Sequence, residues 1–311
     1  MEAAGIGSSP ATASRRWKPP PSAVRLGVMI HPTPRWTFTS RFGLRQWYGH
    51  VILLPDKVLG QWWCVERANG TVLWERTYQR PNTIDGITGE VIVASETRSD
   101  GPWTAAYGCY GLSLKTGERL WTSHREGLWG WVMELIDLVP GITNEFRDTA
   151  VLVRGAECIC ESGRVLDART GRLLRRMPRE DVERLRSEAS ESRPFLQYKE
   201  ELPLAEQAFA RVATGFASGP WNFFTYRFAG PYLYLVVSEE GTSRPHPREP
   251  GVHVSQRAHF HLLTLDRERA TIIQDLRVGD EPLSECRIED LDERGLALSL
   301  DGTELRYYER V

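Results

Sequence analysis

Residues Tyr110–Trp121 read YGLSLKTGERLW, two short strands around a tight Lys115-Thr116-Gly117-Glu118 turn. Gly117 stands where a bulged hairpin needs a residue at positive φ, and Trp121 closes the second strand with a large apolar anchor. The pattern recurs: Cys64–Trp74 reads CVERANGTVLW and Val165–Arg175 reads VLDARTGRLLR, with Gly70, Gly117 and Gly171 in register. A strand-turn-strand unit repeated about every 50 residues predicts stacked supersecondary units, and such units stack radially as the blades of a propeller.

The cleanest unit, residues 82–123, begins NTIDGITGEVIVASE and ends in the Tyr110–Trp121 hairpin. Its order is apolar strand, Asp-Gly, apolar strand, polar loop, then Y-x-L-x-x-x-T-G-x-x-L-W. This resembles the repeat of PQQ-like β-propellers, the quinoprotein dehydrogenase-like superfamily. The match is good over 82–121, fair over 46–76 and 148–175, and weak beyond, and its residues are turn formers and core anchors. The resemblance therefore implies a fold. The family's namesake enzymes hold a quinone over calcium, and many carry a vicinal Cys-Cys disulfide. This chain has no adjacent cysteines, and no ligand or catalytic position can be carried over, which argues against a quinone, and no cofactor is expected.

Outward from that unit, residues 1–24 are rich in Ala, Ser, Gly and Pro and read as a disordered tail, leaving 25–311 as one propeller domain. Further units are expected at about 46–78, 131–177, 195–229, 230–277 and 283–311. That makes an all-β propeller of six four-stranded blades, or seven if the divergent stretches hold more sheet. Residues 179–190 carry Val182, Leu185 and Ala189 at helical spacing and read as a short helical insertion. The last unit has room for three strands, CRIEDL, GLALSL and TELRYYERV, so a segment between Arg25 and Ser40 is expected to pair with it and close the ring.

The formal net charge is -2, and all but four of the 39 basic residues are arginine, a coding bias. Charges are interspersed, without the basic stripe of a nucleic-acid binder. No apolar run is long enough to span a bilayer, and Pro19-Pro20-Pro21 interrupts the position where a signal's apolar region would begin after Arg15-Arg16. Five cysteines, an odd number, fit buried thiols in a reducing compartment, so the location read from the sequence is cytoplasmic.

Candidate site residues are few. His253, His259 and His261 form the densest histidine cluster, with His259 and His261 on one strand face as metal binding requires, but no third ligand is assured. Cys158 and Cys160 also share a strand face and read as core. Trp103 and Trp221 follow prolines in loops, where an aromatic side chain marks a partner surface. The function read from this is a non-catalytic scaffold that recognises a protein partner through loops such as 96–103 and 239–251. The alternative is an enzyme, a hydrolase, lyase or oxidoreductase, with a small-molecule site at the propeller axis.

Overall fold

The computed structural model describes residues 28–44, 51–76, 82–100, 103–123, 149–191, 194–213, 222–238, 243–245, 253–255 and 257–311. Among them are five four-stranded antiparallel sheets. The first runs through Ile52–Leu53, Lys57–Leu59, Trp63–Glu66 and Val72–Glu75, and the second through Asn82–Thr88, Val91–Asp100, Trp103–Ser113 and Arg119–Thr122. The third comprises Ala150–Arg154, Glu157–Cys160, Arg164–Asp167 and Leu173–Arg176. In the fourth, Asn222–Ala229, Tyr232–Ser238, Phe260–Asp266 and Thr271–Arg277 are neighbours. The fifth joins Cys286–Leu291, Gly295–Leu300 and Glu304–Glu309 to a strand from the other end of the chain, Trp36–Thr39, with Trp36 opposite Tyr307 and Thr39 opposite Glu304.

Strand alternation sends side chains to both faces of each sheet, and both faces are used. In the first sheet Val58, Trp63 and Val65 pack with Phe38, Ala297 and Leu305 of the fifth, while Leu59 and Cys64 pack with Ile92, Ala94 and Tyr110 of the second. The second meets the third through Val93, Cys109 and Trp121 against Cys158, Cys160 and Leu166. Tyr234, Val236 and Leu262 join the fourth sheet to Ile288, Leu296 and Leu298 of the fifth. The sheets thus stack face to face in the order fourth, fifth, first, second, third.

Each stacking contact except one carries a latch that the repeat encodes. The Trp74 indole donates to the Leu114 carbonyl at 2.9 Å, Trp121 to Ala168 at 3.1 Å and Trp36 to Arg67 at 2.7 Å. Each acceptor lies three residues before a glycine at positive φ: Gly117 at 67°, Gly171 at 71° and Gly70 at 73°. A Cβ there would come within 2.7 Å of the Trp74 or Trp121 ring and 2.8 Å of Trp36, so glycine is required both by conformation and by the close approach of the indole. At the fourth sheet Gln274 takes the tryptophan's position, paired with Thr264 as Trp74 is with Cys64. It accepts from the Ile30 amide at 2.8 Å and donates to the Ile30 carbonyl at 2.6 Å, tying the fourth sheet to the fifth.

The series stops at the third sheet. Arg175 stands where a tryptophan would, and it is exposed and paired with Glu157 instead. The matching turn of the fourth sheet has Ala270, at φ 49°, where the others have glycine. Between these two sheets the chain forms α1, Arg179–Glu191, and α2, Pro194–Ala213. The helix expected near 179–190 is α1, with Val182 buried.

The sheet expected over 195–229 is corrected. Leu202, Ala205, Phe209 and Val212 recur at helical spacing and bury against Leu233, Leu235, Leu263 and Leu265, so α2 covers the face of the fourth sheet that another blade would cover. Residues 222–229 belong to the fourth sheet itself. Among the described residues there are therefore five sheets of this kind, rather than the expected six or seven.

Candidate functional site

In a four-stranded meander the first and third connections lie at one end and the second at the other. The two ends differ here. At the end of the second connections, the loop expected at 96–103 is instead a continued hairpin. Thr97 pairs with Ala106, Arg98 with Ala105, Ser99 with Thr104 and Asp100 with Trp103, beyond the last residue that the flanking strand reaches, Glu96. The same connection of the fourth sheet carries a second ribbon, Ser243–Pro245 paired with His253–Ser255. Paired backbone thus occurs within the second connection of two sheets, continuous with the second sheet and as a separate two-stranded ribbon in the fourth.

The opposite end forms a groove of about 1120 Å³ where the fifth, first and second sheets meet. Its floor is organised by Arg67, which follows the third strand of the first sheet and is buried. The guanidinium donates to both Asp292 oxygens at 2.6 and 2.5 Å, to the Tyr307 hydroxyl at 2.9 Å and to the Leu54 carbonyl at 3.0 Å. It also lies 5.1 Å from the centre of the Tyr307 ring, which stacks on Trp36. Burial alone would raise the Asp292 carboxyl, but the Arg67 bonds and the Arg294 and Gly295 amides outweigh it and hold it below its ordinary value. Burial likewise opposes charge on Arg67, and its bonds to Asp292 and Tyr307 raise it overall.

Two ion pairs lie at the rim of this floor. Lys57 pairs with Asp56 and lowers its pKa, and Arg35 pairs with Glu309. Asp292 and Asp56, held ionised by their cations, suit electrostatic recognition better than proton transfer. One carboxyl moves the other way: Asp290, on the first strand of the fifth sheet, is raised by burial. Its two oxygens accept from the Leu53 amide at 2.8 Å and the Leu291 amide at 2.9 Å, so it ties the first sheet to the fifth. That bonding gives it a structural task.

The three histidines lie on different parts of the fold. His253 is on the short ribbon, His259 is half-buried just before the third strand of the fourth sheet, and His261 on that strand bonds Asp275 at 2.6 Å. Trp103 opens the long strand of the second-sheet hairpin, and Trp221 lies outside the described residues. Among the described residues, the three ligand groups brought together are Cys109, Cys158 and Cys160, all buried. Alternation along one strand reveals the Cys158 and Cys160 pair. Cys109 arrives from another sheet, and only the stacking places it there.

No protein-family model and no curated protein matches the chain. Among solved structures it is similar to BamB from Moraxella catarrhalis, with 13% identity over 83% of this chain and 71% of that one, at a TM-score of 0.21. It is also similar to a member of the DUF4221 family from Bacteroides vulgatus ATCC 8482, with 10% identity over 82% and 72% and a TM-score of 0.20. Similarity at this level carries neither fold nor function, and the fold rests on the sheets and latches above. Among the described residues no helix is long and apolar enough to cross a membrane.

Proposed function

We propose that the five sheets are blades of a β-propeller, with α1 and α2 occupying the arc between the third and fourth, and that the protein is a binding scaffold for a protein partner. The order of the latches and the pairing of Trp36–Thr39 with the last strand support the propeller. The observation that carries the binding reading is the pair of β-ribbons extending from the second connections of the second and fourth sheets. The second-sheet ribbon, built as a continuation of a rigid sheet, loses little entropy on docking, and the open edges of both ribbons offer backbone donors and acceptors to an extended segment. A cytoplasmic site of action belongs to the same reading, supported by five free, buried cysteines.

The test is affinity capture of the tagged protein from its own lysate, beside variants in which 97–106 or 243–255 is replaced by a two-residue turn. A partner lost on trimming, from a variant with an unchanged melting temperature, supports the reading. A partner retained by both trimmed variants overturns it.

A further inference from the structure

Three of the five cysteines converge at one sheet interface. Cys109 is on the third strand of the second sheet, and Cys158 and Cys160 are on the second strand of the third. Their sulfurs are fully buried, with Cys109 Sγ 3.7 Å from Cys160 Sγ and 4.0 Å from Cys158 Sγ, and all three within 4.8 Å of one another. The nearest point equidistant from three sulfurs so placed, in their plane, lies at most about 2.5 Å from each, close to the zinc–thiolate bond of about 2.3 Å.

We propose that Cys109, Cys158 and Cys160 form a three-sulfur site for a thiophilic closed-shell cation, of the class of Zn²⁺ or Cu⁺. Thiolate ligands select such ions over hard cations. Binding replaces three S–H protons with the ion and releases them to solvent, so affinity rises with pH. The bound ion cross-links the second and third sheets at the last interface of the latched series.

The test uses Cd²⁺ as a spectroscopic probe on the reduced, full-length protein. The expected result is a sulfur-to-cadmium charge-transfer band that saturates at one equivalent, is displaced by excess Zn²⁺, survives Cys64→Ser and is lost in Cys109→Ser. Should Cys109→Ser not fold, X-ray absorption on the wild-type complex decides: three sulfur neighbours support the site, and fewer overturn it. A folded wild-type protein without the band at one equivalent, or a band that survives Cys109→Ser, also overturns it.

Discussion

Gly171→Ala isolates the latch between the second and third sheets. The substitution has two separable costs. At φ 71° any L side chain meets the left-handed penalty of about 1–2 kcal/mol. The new Cβ would also sit 2.7–2.9 Å from the ring atoms of Trp121, which is buried and held by its bond to Ala168, so the indole has little room to give. Overpacking of this kind adds about 1–3 kcal/mol. Gly155→Ala is the control, since Gly155 has φ 59° and nothing within 4 Å of its Cβ position; it should cost only the conformational part. In a Trp121→Leu background the second cost of Gly171→Ala disappears, so a double-mutant cycle by urea unfolding should show a coupling of about 1–3 kcal/mol, the double variant being more stable than additivity. Equal costs at Gly171 and Gly155 together with an additive cycle would refute the latch.

Two further perturbations probe the fourth-to-fifth and fifth-to-first contacts. Gln274→Ala leaves the buried Ile30 amide and carbonyl without their side-chain partner and should cost about 2–4 kcal/mol by urea unfolding with an unchanged m-value. Asp292→Asn removes the counter-charge of buried Arg67; because Asp292 is itself 36% exposed, the cost lies between those of surface and buried pairs, about 2 kcal/mol at neutral pH. The folded-state pKa of Asp292 is depressed, so its contribution is present above the unfolded value of about 3.9 and is lost as pH falls through the lower folded value. The stability gap between wild type and Asp292→Asn should therefore shrink below about pH 4 in acid-limb unfolding curves.

The hairpin of each repeat was legible because turn and anchor are both conformational necessities. Gly70, Gly117 and Gly171 take positive φ, and Trp74 and Trp121 dock on the next turn, so residue type and spacing report the contact. The anchor was not legible where chemistry changed but position did not, although the unit at 230–277 was placed correctly. Gln274 occupies the tryptophan's place through two amide hydrogen bonds, which no hydrophobic pattern marks. The short Lys57–Leu59 strand follows Pro55-Asp56, residues that read as loop.

Over 194–213, repeat length argued for a blade, while Leu202, Ala205, Phe209 and Val212 already carried the helical period. Side-chain periodicity is the better guide there, because it records what the segment buries. The candidate sites were less legible. The ribbons depend on strand register across a turn, and the cysteine trio depends on two sheets meeting. The groove is assembled from turns far apart in sequence, with Arg67 and Asp292 separated by 225 residues.

The scaffold reading turns on which end of the sheets meets the partner. A photo-crosslinking side chain placed at Ser99, in the second-sheet ribbon, and separately at Lys115, in the turn at the opposite end, measures this directly in the cell of origin. A crosslinked partner from Ser99 and none from Lys115 is the predicted result. Crosslinking from Lys115 alone would contradict it and move the binding face to the charged groove.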